Sequence, residues 1–501
     1  MKKIILFILT AALVAMPVLS CAGEGDGNQP GPGDERRETP GDTPDGGGAQ
    51  GTDDTNGESE ELRFPDLPDV NFGGYEFRIF NSADDNQPFI LTTLVVEAET
   101  GEALNDAMFR RNRRMEDRFG FTLVQTDGPG PDGVRDRARR SIQAASDDFD
   151  LAMVTATAAL PMAQEGLLVM IDTIPYIDVS RPWWDQDMNR DFSIGRRLFY
   201  TSGDFSFNQY SVTVGILFNQ QLRADLGLDC PYTLVHEGRW TMERFAEMAR
   251  AAQRDLTGDG TMGPNDQWGF MGQSHVYTLA FMNGMGARYI IKDADDLPVL
   301  NINTEGFISR FLTAFDLLME GWVIDPTRPE VPGGILEGMF LNNQGLFWAP
   351  LINGATALRA MDADFGILPF PKLNEQQEYH ISSTGLPHVM AIPITTPDLE
   401  RTGIILEALN AESRLTTRTV YFDTMLVNQI MNRDEQSAEM LDIIFGNRIY
   451  EPGRFFWESH VSAPISQAMR DRNRDIVSII EAREPAALAA IEAAIEAFLE
   501  H

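Results

Sequence analysis

Between residues 75 and 154 the apolar pattern switches period four times. "YEFRIF" (75–80) alternates as a strand does, and "EALNDAMFRRNRRMEDRF" (102–119) repeats as a helix, with Leu104, Met108, Met115 and Phe119 on one face. "FTLVQ" (121–125) reads as a strand, "VRDRARRSIQAA" (134–145) as a helix and "FDLAMV" (149–154) as a strand. Strands separated by helices predict a parallel α/β sheet. Further on, "TEGFISRFLTAFDLLMEG" (304–321) predicts a helix capped by Thr304 and stopped at Gly321, with Phe307, Phe311, Phe315 and Leu318 inward. "PDLERTGIILEALNAES" and the Ala-rich tail "EPAALAAIEAAIEAFLE" read as further helices. At 501 residues the chain is too long for one ordinary core, so two lobes are expected.

The N-terminus reads as a leader. Two lysines precede an apolar run from Ile4 to Leu19, followed by Ser20 and Cys21. The run is short for a membrane-spanning helix. Val18-Leu19-Ser20-Cys21 resembles the bacterial lipobox, in which the cysteine receives lipid, so residues 1–20 are read as a lipoprotein signal peptide and Cys21 as the lipidation site. No internal disulfide then remains, and Cys230 reads as a small buried apolar side chain. Residues 22–61 hold no apolar side chain of the core-forming types beyond alanine and are rich in Gly, Pro, Asp, Glu and Thr. Such a segment cannot bury enough surface to fold. As a flexible coil it reaches roughly 35 Å. Residues 21–65 are therefore read as a lipidated, acidic, disordered tether.

Asp and Glu total 75 against 40 Lys and Arg, a net charge of −35. So acidic a surface repels phosphate and excludes nucleic acid and anionic lipid surfaces as expected partners.

"DLTGDGTMGPND" (255–266) has the oxygen spacing of a calcium loop, with Asp255, Thr257, Asp259, Thr261 and Asp266 around the glycine Gly260. It lacks the bidentate glutamate of a sensor at its last position. An amphipathic helix precedes it (241–256), but "QWGFMG" follows with no helical period, so the loop joins a helix to a strand. Two readings stand: a weak structural calcium site, or a turn held by side-chain to backbone hydrogen bonds.

Stretches such as "TGEALNDAMFRRNRRMEDRF", "GLLVMIDTIPYIDVSRPWWDQ", "GILFNQQLRADLGL", "GRWTMERFAEMARAAQRDLTGDG", "LNINTEGF" and "ADFGILPFPK" resemble the extracellular solute-binding proteins of family 1, the sugar-binding lipoproteins of bacterial ABC importers. The resemblance runs through the whole body. It implies a two-lobe, periplasmic-binding-protein-like α/β fold with a hinged cleft between the lobes. One lobe would take 66–203 and 370–410, and the other 204–369 and 411–501, with the first crossing near "YTSGDFSFNQ" (200–209). It further implies a monomer on the outer face of the cell membrane that passes a carbohydrate, expected to be an oligosaccharide, to ABC permease subunits. A peptide or another polar solute is the alternative.

Sugar sites combine aromatic rings with planar polar side chains, and in α/β proteins they lie beyond the carboxyl ends of strands. Thr155 and Thr157 follow the strand at 149–154. Asp204, Phe205 and Asn208 sit at the crossing, and Trp348 ends "LFW", where the family supplies a stacking aromatic. Ser382 and His388 lie in the Gly-Pro loop "SSTGLPH", and of the tryptophans in "PWWDQ" Trp183 is the candidate to face a ligand. "RFFWESH" (454–460), with Glu458 and His460, could line the cleft but reads rather as a packed turn. No HExxH, GxSxG, Walker or CxxC motif is present, and the six histidines show no metal spacing. No enzyme and no cofactor other than that calcium is expected, although 75 acids leave a glycoside hydrolase pair open on counting alone.

Overall fold

The computed structural model describes residues 63–83, 90–329, 331–423 and 436–501. The leader, Cys21 and the tether up to residue 62 lie outside the described residues. The folded body starts slightly before residue 66, because Phe64 already packs on the core with the guanidinium of Arg118 4.3 Å above its ring.

The expected α/β alternation is present as two five-stranded sheets. The first contains β1 (Tyr75–Asn81), β2 (Phe121–Asp127), β3 (Leu151–Thr155), β4 (Tyr200–Thr201) and β13 (His388–Ala391), in the order β2-β1-β3-β13-β4. β1 runs parallel to β2 and β3, and β13 is inserted antiparallel between β3 and β4. The second contains β5 (Ile216–Asn219), β6 (Trp268–Met271), β9 (Val323–Ile324), β10 (Gly345–Trp348) and β11 (Phe365–Leu368), in the order β11-β5-β10-β6-β9. Here β6, β9 and β10 are parallel, while β5 is antiparallel to β10 and β11. Two short ladders complete the set: a hairpin of β7 (Ile290–Lys292) with β8 (Pro298–Leu300), and β12 (Ser382–Ser383) beside β14 (Arg448–Ile449).

Period-2 patterning places the first sheet between two cores. Phe77, Ile79, Leu151 and Met153 face one cluster, while Phe80, Ala152 and Val154 face the other. β3 is therefore buried on both sides, as a central parallel strand must be. The helix Ala103–Phe119 covers one face and ends at Gly120, whose φ of 64° is the left-handed conformation that glycine adopts without strain. The helix Glu305–Leu318 starts as expected, with Thr304 accepting from the Phe307 amide, and buries all four predicted positions. It stops at Leu318, three residues before the predicted Gly321, because Trp322 and Val323 turn inward to begin β9.

β4 ends at Thr201 in the first sheet and β5 begins at Ile216 in the second, so the chain passes between sheets within 202–215. Every residue of this crossing is buried. The chain returns between β11 and β13, alongside the β12–β14 pair. The C-terminal helix Ile476–Glu500 departs from the expectation that 411–501 belong to one lobe. It packs against the helix Ala156–Gln164 of the first sheet as well as the helix Glu305–Leu318 of the second, and Phe498 meets the Phe199 ring edge-on at 5.0 Å.

Candidate functional site

Two cavities open at the carboxyl ends of the strands. One, of about 330 Å³, is lined by Thr155, Val214, Ser383, His388 and Arg454 among others. The second, of about 640 Å³, is lined by Gln273, Pro326, Glu337, Trp348 and Pro350 among others. Both touch Tyr277 and Leu351, so they form one continuous cleft. It draws on both sheets: Thr155 ends β3 and His388 begins β13, while Trp348 ends β10 and Gln273 follows β6.

Three predicted residues, Thr155, His388 and Trp348, line this cleft, and two more, Thr157 and Asn208, bond to them. Thr155 opens the helix Ala156–Gln164, and its hydroxyl meets that of Thr157 at 3.0 Å. His388 pairs with Thr155 across the ladder. Asn208 does not line the cavity but sets His388: its Oδ1 accepts the His388 amide at 2.7 Å, and its Nδ2 lies 3.4 Å from the ring Nδ1. Trp348 packs one side of its ring against Phe340, with centroids 5.6 Å apart, and is 9% exposed along the edge that meets the larger cavity.

Four others are placed elsewhere. Trp183 is core, not cleft. Its indole N–H donates to Glu407 Oε1 at 3.0 Å and that of Trp184 to Oε2 at 2.8 Å, so both rings of "PWWDQ" turn inward onto one carboxylate. Phe205 is also core, 4.6 Å beneath the guanidinium of Arg111, which is itself satisfied by Leu94, Phe205 and Asn112. Asp204 lines a separate cavity of about 280 Å³ that shares no residue with the cleft. It accepts from the Tyr210 hydroxyl at 2.6 Å and faces Arg414 and Arg418; burial raises its carboxyl against the pull of those arginines. Ser382 misses by one position: it is fully buried in β12, and Ser383 reaches the cavity, as strand alternation requires. Cys230 is half-buried against the core rather than sealed in it.

Burial pushes the Glu407 carboxyl up to about 7, against the indoles and the Asp178 amide, which favour its charge. The folded protein thus keeps a proton that the unfolded chain releases above the ordinary value of 4.5. The group's contribution is full below that value and is lost as pH rises towards 7. Glu407→Gln removes the titration but also one of the two oxygens that accept the indole N–H groups. It is expected to be less stable than the wild type near pH 5 and to gain on it by about 1–3 kcal/mol towards pH 8. Urea midpoints at the two pH values check this; an equal difference at both would remove the shift.

In the 255–266 loop, Asp255 accepts from the Gly258 and Gly260 amides, and Asp259 from Thr261. Asp266 is buried and accepts from Leu256, Thr257 and Gly263, so these bonds pull both its carboxyl and that of Asp255 below the ordinary range. The side chains tie the loop to itself, and β6 follows it as expected. Among the described residues no group of three or more His, Cys, Asp or Glu is arranged to hold a metal ion. Calcium is expected to move the melting temperature little and a chelator to leave solute affinity unchanged; a large loss in chelator would give the loop a part in binding.

Tyr277 and Arg454 also line the cleft. Tyr277, in no marked motif, lies in the first turn of the helix Ser274–Gly284, and Arg454 lies in the four-residue helix Pro452–Phe455 and opens "RFFWESH".

The sequence profile of the bacterial extracellular solute-binding proteins matches residues 120–399, more than half of the chain. The chain belongs to that family. A search of curated proteins gives no match for this solute-binding protein. Solved structures give many. UspC of Mycobacterium tuberculosis superposes with a TM-score of 0.56 at 15% identity, covering 83% of this chain and 100% of that one. The ABC substrate-binding protein Lmo0181 of Listeria monocytogenes gives 0.53 at 10%, covering 85% and 98%. The maltose–maltodextrin binding protein of Alicyclobacillus acidocaldarius gives 0.51 at 12%, covering 83% and 100%. At such identities the likeness shows the fold, the two-lobe architecture of periplasmic binding proteins. Among the described residues no helix of this solute-binding protein is long and apolar enough to cross a membrane.

Proposed function

We propose that this protein captures an oligosaccharide in the cleft and delivers it to an ABC permease. The observation that carries the reading is the cleft itself. It spans the strand ends of both sheets, offers Trp348 and Tyr277 as aromatic faces, and presents Thr155, Ser383 and His388 as hydrogen-bonding groups. Its two cavities, about 640 and 330 Å³, suit a solute of more than one ring. Lmo0181 was solved in complex with cycloalternan, and a cyclo/maltodextrin-binding protein of similar fold with maltotetraose. A hydrolase would need two carboxylates flanking the scissile bond. Among the described residues lining the two cavities Glu337 is the single carboxylate, which favours capture over cleavage.

A thermal-shift screen of glycans and peptides tests the proposal, because a solute at 100 times its Kd adds about 2.7 kcal/mol of stability. Shifts by peptides alone would sink the carbohydrate reading in favour of a peptide carrier. The protein acts as a monomer held at the outer face of the membrane by lipid on Cys21, with the tether giving it reach. Acyl burial contributes about 0.8 kcal/mol per CH₂, so more than one chain holds firmly. Cys21→Ala should yield a soluble or unprocessed form; a mature variant still in the membrane fraction would rule out this anchor.

A further inference from the structure

We propose that the oligosaccharide is acidic, and that Arg454 in the cleft reads its carboxylate. The proposal rests on the carbohydrate reading and narrows it.

Arg454 lines the smaller cavity beside His388 and Ser383. Among the described residues its one hydrogen bond is from Nη1 to the Thr384 carbonyl, at 3.2 Å, and no carboxylate comes within ion-pairing distance. Its side chain borders the cavity, so the N–H groups not spent on Thr384 are available to a solute there. Other withdrawn arginines of this chain are treated differently. Arg448 is paired with Asp185 at 3.1 Å, and Arg288 with Glu451 at 3.1 Å and Asp191 at 3.3 Å. Arg111 lacks a carboxylate contact but spends its donors on four backbone or side-chain acceptors and a stacked ring. In a chain with 75 acidic residues and 40 basic ones, a cleft arginine that makes no ion pair, with only the more distant Glu458 acting on it, needs a reason. Burial lowers its guanidinium from the ordinary range, a cost that an incoming anion would offset. No Asp or Glu among the described residues lines its cavity to repel such an anion. The planar fork of a guanidinium matches a carboxylate with two parallel bonds.

A second observation extends the charge. The turn at residues 325–328 contributes Pro326 to the larger cavity and Asp325, Thr327 and Arg328 to a neighbouring one of about 320 Å³. That neighbour is also lined by His275, Arg470 and Arg472. Arg470 and Arg472 make no ion pair among the described residues, and the carboxylate of Asp325 is occupied by the Ser274 amide and by the amide and hydroxyl of Thr327. A second group of cations thus lies beyond the larger cavity, separated from Arg454 by Glu337 and accompanied by Asp325, on a protein whose net charge is −35. A chain of uronic acids presents carboxylates at the spacing of successive sugars. A neutral sugar would use Arg454 only through hydroxyls and would leave that second group idle.

The test is calorimetric titration of the full-length protein with uronic-acid trisaccharides of several backbones, each beside its carboxyl-reduced neutral counterpart. For the backbone that binds, the acidic form should be tighter by about 10–100-fold, the range of a charge-assisted pair taken out of water. Its affinity should fall with added salt while that of the neutral form does not. Arg454→Met should bring the two forms within about threefold of each other by weakening the acidic form far more than the neutral one, which loses only hydroxyl contacts; Arg454→Lys, which keeps the charge and loses the fork, should fall between. Equal binding of acidic and reduced forms by the wild type overturns the proposal, as does an Arg454→Met protein that weakens both alike, and either leaves the carbohydrate reading in place. If no trisaccharide of either kind binds, the carbohydrate reading falls and the proposal with it. Should Arg454→Met not fold, the acid-to-neutral ratio and salt dependence of the wild type still decide.

Discussion

Trp348→Ala should weaken solute binding by about 30- to 1000-fold, the loss expected of a central tryptophan anchor. The ring closes the carboxyl end of β10 and meets the larger cavity along its exposed edge. Its other side is packed on Phe340, so the same substitution should also cost about 2–4 kcal/mol of stability through the void it leaves. The ring thus packs on Phe340 while bordering the cavity, so a change there acts on the fold as well as on the proposed site. Trp348→Phe separates them: it keeps an aromatic face and most of the packing, and should retain affinity far better than alanine. The measurement is the Kd of each folded variant for the glycan found by thermal shift. Unchanged affinity in Trp348→Ala would move the solute out of the larger cavity, towards Thr155 and His388.

Asp185→Ala should remove about 4–6 kcal/mol of stability. One oxygen of Asp185 accepts the Met188 amide at 3.0 Å and caps the helix Gln186–Phe192. The other accepts the Tyr450 hydroxyl at 2.6 Å and pairs with Arg448 at 3.1 Å. All three side chains are buried, so alanine leaves a guanidinium withdrawn from water without its counter-charge. That is the expensive way to break an ion pair, whereas replacing both partners by apolar groups is often nearly neutral. Asp185→Asn keeps the cap and loses the charge, and should recover about 1 kcal/mol of the deficit. Denaturant unfolding of the two variants measures this. A loss below about 1.5 kcal/mol for alanine would mean that Arg448 finds water or Asp187 instead.

Thr155, Trp348 and His388 were legible because strand termini are legible, and a site at carboxyl ends follows from sheet topology. The crossing was harder. Its position can be anticipated, but a buried segment has two sides, and sequence does not say which residue turns to which. Asn208 turns to His388, while Asp204 turns to Arg414 and Arg418. Trp183 was taken to face a ligand and its neighbour to pack, but in the irregular turn before the helix both rings converge on Glu407, an acceptor more than two hundred positions away. Tyr277 had no local mark, and Arg454 only its place in a stretch read rather as a packed turn, since what makes them cleft residues is the company that the fold brings to them.

The insertion of β13 between β3 and β4 also fixes a schedule. The first sheet lacks an interior strand until residues 388–391 are available, so the edge of β3 stays open while the intervening chain is made. The N-terminal part therefore cannot reach its final form during most of synthesis. Its stability depends on contacts that span more than two hundred residues, and such long loops slow folding. Completion of the first sheet is thus one of the last steps of folding, and the two short ladders made by β13 are the point at which the N-terminal half becomes fixed.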